Sequence, residues 1–318
     1  MEEKSQFLNI KCPILHGIIN DWDDMEKIWD HTFKNELKES PSGNNIMLTE
    51  VLMNTKKNNE KTAEIMFEKF NASSLGISKQ GPLILIATGT YHGFILDSGE
   101  AITQFCCSYD GNSLPYFIKM NFSGKNITKY LLKIIADELG ISLVTYSEQL
   151  IAKDIKEKIC YVALDFEEEK KNIQEKNYKM PDGTEIKLND QSFRIPEILF
   201  NNKIYDHYEL DNFAQKCIEI IDKCDEYLRK DLYNNIILSG GNTLFKGFGQ
   251  RLRKEIIEFA PISMKKHIRV IDLPEKRYNA WIGASILSSI FHDSSNFWIS
   301  QIEYNESGPS IIHKKTQF

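Results

Sequence analysis

The sequence predicts an α/β protein with enough chain for two hydrophobic cores. Three observations carry that prediction. Short apolar runs that read as buried strands alternate with stretches of helical period, the pattern of helices laid on a sheet. The chain has 318 residues, 42% hydrophobic and 26% charged, which is ordinary for a globular protein and long enough for two cores. Two similar strand–loop–helix units flank Gly99 and Gly240, although no longer internal repeat is evident.

In chain order, Asp21 or Asp24 is placed to cap a helix whose Met25, Ile28, Trp29 and Phe33 share one face. Pro82–Gly99 holds two apolar runs on either side of Thr88-Gly89-Thr90, which reads as a buried hairpin. Residues 126–138 form a helix with Ile127, Tyr130, Leu131, Ile134 and Ile135 on one stripe. Residues 151–166 carry another helix or a helix–strand pair. Residues 167–179 are charge-rich and apolar-poor, a bridge expected to be exposed, and Pro181-Asp182-Gly183 is a turn. Helical period runs through 213–230. A buried strand at 236–238 then enters Gly240-Gly241, and a helix at 248–259 presents Arg251, Arg253 and Lys254 as a solvated face.

The formal net charge is -6, which disfavours direct nucleic-acid binding. No apolar run approaches the roughly 20 residues of a membrane span. The opening M-E-E-K-S is neither a signal nor a transit peptide, which points to the cytoplasm, with the nucleus as the alternative. The cysteines at 12, 106, 107, 160, 217 and 224 make no C-x-x-C pair and read as reduced, mostly buried thiols rather than a zinc site. The N-x-S/T sequons at Asn71, Asn121, Asn126 and Asn305 carry no meaning without a secretory signal.

Three motifs are candidates for chemistry. Asp97-Ser98-Gly99-Glu100-Ala101 follows a strand. Such a turn can offer backbone N–H groups to phosphate, and its acidic side chain can hold a hydrated Mg²⁺, although a short D-S-G alone is more often a plain turn. Ser239-Gly240-Gly241-Asn242-Thr243-Leu244-Phe245 places paired glycines between a strand and a helix, where a ligand can touch backbone. Lys156-Glu157 lies in D-I-K-E-K-I-C-Y-V-A-L-D-F, and by itself is an unremarkable helix face.

Longer segments carry a resemblance. These are D-L-Y-N-N-I-I-L-S-G-G-N-T-L-F-K-G-F at 231–248, Y-N-A-W-I-G-A-S-I-L at 278–287 and W-I-S-Q-I-E-Y-N-E-S-G-P-S-I-I-H-K-K at 298–315. In order and spacing they resemble the carboxyl-terminal part of actin, and the likeness extends over nearly all of residues 8–318. It implies the two-lobed fold of the actin/hexokinase/Hsp70 superfamily, with a central cleft for ATP or ADP and Mg²⁺. It also implies four subdomains. Residues 1–12 are a remnant of the second; 13–87 and 279–318 form the first; 88–123 and 208–278 the third; 124–207 the fourth.

Residue by residue, the resemblance makes 97–101 the second phosphate loop, with Asp97 holding the metal through water and Ser98, Gly99 and Glu100 beside the nucleotide. Gly240, Gly241, Asn242, Leu244 and Phe245 become the adenosine loop. Lys156 and Glu157 match the pair that contacts adenine and ribose, and Arg277 stands where the family has a lysine near the base. Gln80 matches the glutamine that positions the attacking water. Gln104 replaces a histidine of that water network and is a poor proton acceptor, so the catalytic pair is degenerate. His16 matches a histidine that is often methylated, with a packed polar histidine as the competing reading. Ile86, Ala87, Gly89, Tyr91, Gly111, Leu287, Ile290 and Phe297 match the cleft that receives amphipathic helices. Ordinary core packing is the strong competing reading for Leu287 and a weaker one for Phe297.

Departures are equally specific. Glu100 and Ala101 replace an aspartate and a glycine of the family's loop, and Ala101 adds a Cβ where phosphate approaches. Lys203–Tyr208 puts charge in the place of an apolar plug, which argues against a filament of this chain alone. The family's first phosphate loop, D-x-G-S-G, is not found, and the match begins about sixty residues into the family pattern. That implies an amino-terminally truncated member with sheet edges for a partner to cover. Three expectations stay open. The chain is a cytoskeletal actin-like protein with weak or degenerate ATP binding and at most weak ATPase activity; a non-enzymatic scaffold subunit of a larger complex; or a truncated product without function. The partners implied are actin-binding proteins or the subunits of such a complex, with conventional actin as one option; neither nucleic acid nor membrane is expected.

Overall fold

The computed structural model describes residues 10–201 and 212–315. They fall into two compact units. The first is made chiefly of residues 93–106 and 116–277, the second of 12–92, 107–115 and 278–318. No helix among the described residues is long and apolar enough to cross a membrane.

A five-stranded sheet runs in the order Val270–Ile271, Ile236–Ser239, Gly93–Ser98, Thr103–Tyr109, Asn112–Met120; its first three strands lie wholly in the first unit, and residues 107–115 of the last two are counted with the second. Its central pair is parallel, with Ile236 opposite Phe94, Leu238 opposite Leu96 and Ser239 opposite Asp97. Phe94, Ile95 and Leu96 are fully buried, as are Ile236, Ile237 and Leu238. Continuous apolar runs of this kind belong to parallel strands covered on both faces. Helix Gly124–Leu139 buries the stripe Ile127, Tyr130, Leu131, Ile134 and Ile135, as its period requires, and ends at Gly140 with φ +68°. Helix Tyr146–Ile159 starts at a capping box in which Thr145 and Glu148 satisfy each other's backbone N–H groups.

The second unit holds a three-stranded sheet in the order Ile299–Ser300, Ser74–Lys79, Asn45–Glu50. Its core gathers Ile46, Leu75, Ile77, Phe67, Ile299 and Tyr304, with Trp22, Trp29 and Phe33 packed against it. Asp21 caps helix Trp22–His31 by accepting from the Asp24 amide at 3.1 Å. His16 and Gly17, at φ +49° and +78°, form the two-residue turn between Ile14–Leu15 and Ile18–Ile19. His16 is therefore exposed at a hairpin tip rather than packed.

Four sequence expectations are corrected here. Pro82–Gly99 is not a hairpin: Gln80–Ala87 is a helix, and the strand begins at Gly93. Pro82 sits in the helix's first turn, where its missing N–H costs nothing, and Leu83, Ile84 and Leu85 are buried on all sides, which erases any period. The 213–230 period spans two helices, Phe213–Lys223 and Glu226–Asn234. Cys224 is extended between them, and Arg229 donates to the Cys224 and Asp222 carbonyls that the break leaves open. The bridge at 167–179 is mostly exposed as expected, and it ends in a strand, Lys176–Lys179, paired with Glu185–Leu188 across the expected Pro181–Gly183 turn. Ile28, at 44% exposure, faces away from the core stripe. Arg251 is not solvated: it is buried, donates two hydrogen bonds to Glu197 and one to Glu255, and lies 5.1 Å from the Phe200 ring. Arg253 and Lys254 are exposed as expected. The segment Lys203–Tyr208 lies outside the described residues.

Candidate functional site

Two loops of the first unit leave neighbouring parallel strands at their carboxyl ends. Gly93–Ser98 runs into Gly99-Glu100-Ala101, and Ile236–Ser239 runs into Gly240-Gly241. In open α/β sheets ligands bind at such strand ends. The register sets Ser239 opposite Asp97, and the Ser239 side chain hydrogen-bonds the Asp97 carboxylate. Gln104 Nε2 approaches Asp97 Oδ2 at 3.4 Å. Burial raises the Asp97 carboxyl above its ordinary range, and the bonds from Ser239 and Gln104 pull it back down.

The loops are tied to each other. Asn242 Nδ2 donates to Ser98 Oγ at 3.0 Å and to the Gly99 carbonyl at 2.8 Å. Ser98 Oγ also meets Thr103 Oγ1, which donates to the Phe122 carbonyl. Gly240 packs directly on the Ser98 backbone with φ +84°. The Gly99 amide closes its own turn onto the Ile102 carbonyl at 2.9 Å. The amides of Glu100 and Ala101 donate to no protein acceptor among the described residues, which leaves two adjacent N–H groups at the tip of the turn.

Lys156 reaches this loop from helix Tyr146–Ile159. Its side chain is buried, and Nζ donates to the Gly124 carbonyl at 3.0 Å and approaches Glu100 Oε2 at 3.4 Å. Burial lowers its pKa, while Glu100 acts to raise it. Glu157, next in sequence, is exposed. Phe245 is buried and Leu244 is 42% exposed. Arg277 is exposed on the short 3₁₀ turn Lys276–Tyr278.

The structure therefore brings together Asp97, Ser98, Gly99, Glu100, Gln104, Lys156, Gly240 and Asn242. Sequence reasoning missed Ser123, Gly124 and Lys153 as members of this cluster. Gly124 is crowded by side chains: a Cβ there would come within 2.5 Å of Glu100 Oε2 and 2.8 Å of Asn242 Oδ1, so a larger residue would have to displace them. Nothing in the string S-G-K-N announces that. Lys153, one helical turn before Lys156, was the one legible signal.

A family model described as Actin matches residues 1–317. The chain belongs to the actin family. The mixed helix-and-sheet architecture agrees with that assignment, and actin-family proteins generally bind nucleotide with Mg²⁺. The remaining actin-like positions all lie in the second unit. Gln80 is the first residue of its helix, Gln80–Ala87. Leu287 and Phe297 are buried in a cluster with Leu83, Ala284 and Trp298, against which Ile86 packs. Tyr91 and Ile290 are 75% and 67% exposed. Gly89 and Gly111 have positive φ, and the Gly111 amide donates to the Tyr91 carbonyl at 3.2 Å.

The residues present fit a phosphate and a hydrated metal. Two unspent amides offer donors to phosphate, a partly buried carboxylate at Asp97 can accept from metal-bound water, and glycine stands at position 240, where backbone crowds the loop.

Proposed function

We propose that this actin-family protein is an actin-like protein that binds adenine nucleotide weakly, with slow or no hydrolysis. The observation that carries the reading is the pair of loops at Asp97 and Gly240, joined through Asn242 at the ends of neighbouring parallel strands. In this reading the Glu100 and Ala101 amides donate to phosphate oxygens, Asp97 accepts from metal-bound water, and Lys156 braces the loop from below. Mg²⁺, when bound, would neutralise phosphate charge. Three features support weak binding and poor turnover. Glu100 pairs with the lysine of the site, Ala101 carries a Cβ on the phosphate side, and Gln104 offers an amide where proton acceptance needs a base.

Calorimetric titration of the full chain with Mg-ATP and Mg-ADP, with phosphate release followed in parallel, tests this. The expected result is a Kd weaker than micromolar and little turnover. Micromolar or tighter affinity with steady turnover would overturn it.

A second reading, a scaffold subunit that meets a protein partner, is supported by the exposed Tyr91 and Ile290 side chains in the second unit. Copurification with the tagged full chain, with Ile290→Asp as the control, tests that reading. A stable monomer with no copurifying protein counts against it.

A further inference from the structure

Glu100 projects from the turn after Asp97 with its carboxylate 3.4 Å from Lys156 Nζ and 3.9 Å from Lys153 Nζ. The two lysines are three residues apart on helix Tyr146–Ile159, so they share a face. The start of helix Gly124–Leu139 lies beside them, with the Gly124 amide donating to the Gly99 carbonyl at 2.9 Å. The backbone beneath Glu100 is pinned. Its carbonyl accepts from Ser123 Oγ at 2.8 Å and from the Lys125 amide at 3.0 Å. Its side chain, by contrast, is half exposed, whereas that of Lys156 is enclosed. A buried ammonium and a second lysine converge on one half-exposed carboxylate. That is an anion site already filled by the chain's own side chain.

We propose that Glu100 is a built-in competitor for anionic ligands: a phosphate-bearing ligand engages Lys153 and Lys156 only when the Glu100 carboxylate swings aside. The proposal rests on the reading of these loops as a nucleotide site, and adds how that site is restrained. No bond is made or broken; one anion replaces another beside two cations. Removing the carboxylate charge while keeping the loop backbone should therefore raise affinity for a polyphosphate. Shortening the side chain should do so in part.

The test uses the purified full-length chain and the variants Glu100→Gln, Glu100→Asp, Lys156→Met and Glu100→Gln/Lys156→Met. Inorganic pyrophosphate and Mg-ATP are titrated at low and high salt, and the acylation rate of Lys156 by an amine-reactive ester is read by peptide mass spectrometry. Glu100→Gln should bind pyrophosphate about tenfold more tightly at low salt, with a smaller gain at high salt. The double variant should lose the gain. Lys156 should be acylated several-fold faster in Glu100→Gln than in the parent, because the carboxylate no longer holds its proton. If Mg-ATP binds neither protein but pyrophosphate follows this pattern, the nucleotide reading fails and the competitor stands. If Mg-ATP binds parent and Glu100→Gln equally, the nucleotide reading stands and the competitor is overturned. An unchanged Lys156 acylation rate overturns it whatever the ligands do.

Discussion

Gly240 lies against the backbone of Ser98 so closely that a Cβ on it would come within 2.3 Å of the Ser98 carbonyl oxygen, and its φ is +84°. The contact joins the ends of two neighbouring strands and sets the distance between the loops. Gly240→Ala should therefore destabilise the fold by roughly 2 kcal/mol or more, through strain at positive φ and displacement of Ser98. It should also weaken nucleotide binding. Denaturant unfolding checks the first effect and titration the second; a neutral Gly240→Ala would show that the loops are not coupled.

Asp97 carries a cost of burial. Burial raises its carboxyl pKa, so the folded state holds the proton more tightly than the unfolded chain does. Such a group stabilises the fold at acid pH, and that contribution is lost as pH rises through the raised value. Asp97→Asn should therefore melt higher than the parent at neutral pH, and the advantage should vanish below the ordinary carboxylate range. The same variant should lose the Mg²⁺ dependence of nucleotide binding. A lower Tm at neutral pH would contradict the assignment.

Gln104 stands beside Asp97, with Nε2 3.4 Å from Oδ2, and offers an amide rather than a base. Gln104→His should leave Mg-ATP affinity within a few-fold and raise phosphate release measurably. No rise, with binding intact, would show that the missing base is not the limiting lesion.

Arg251, Glu197 and Glu255 form a buried charge cluster, extended by Asn212, whose Nδ2 donates to Glu255 and to the Phe200 carbonyl. Arg251→Ala leaves two buried carboxylates without their cation and should cost roughly 3–5 kcal/mol. Arg251→Lys should recover only part, because an ammonium cannot make both bonds to Glu197 at once. Chemical unfolding of the two variants decides it; a loss below 1 kcal/mol for Arg251→Ala would mean that the cluster is solvated.

Glu303 reciprocates the Ser300 cap and pairs with Lys315, and its carboxyl is depressed to about 2, chiefly by Lys315. The sign here is opposite to that of Asp97. Its contribution is present above the ordinary carboxylate pKa and is lost as pH falls toward 2. The side chain is about a third exposed, so solvent screening keeps Glu303→Gln to about 1 kcal/mol at neutral pH. Thermal melts of the variant and the parent should converge near pH 2.

The sequence by itself determined the α/β class, the actin-like segments and most helices whose one apolar stripe faces a core. Helix 248–259 and the stripe from Ile127 to Ile135 are examples, because a 3.6-residue period survives wherever one face stays wet. It also singled out Asp97, Gly240 and Asn242, since a strand ending in a glycine turn is a local signal, whereas Lys156 stood out only through the likeness to actin. Only the tertiary structure decided what those residues do to each other. Leu83 and its neighbours are buried on every side and carry no period, so helix and strand could not be told apart there. Arg251 reads as a surface cation until Glu197, 54 residues away, comes to meet it. Glu100 reads as a drifted loop residue until folding brings Lys156, 56 residues away, beside it. Pairings between distant charges depend on where the backbone carries each side chain, and no local pattern in the chain records that.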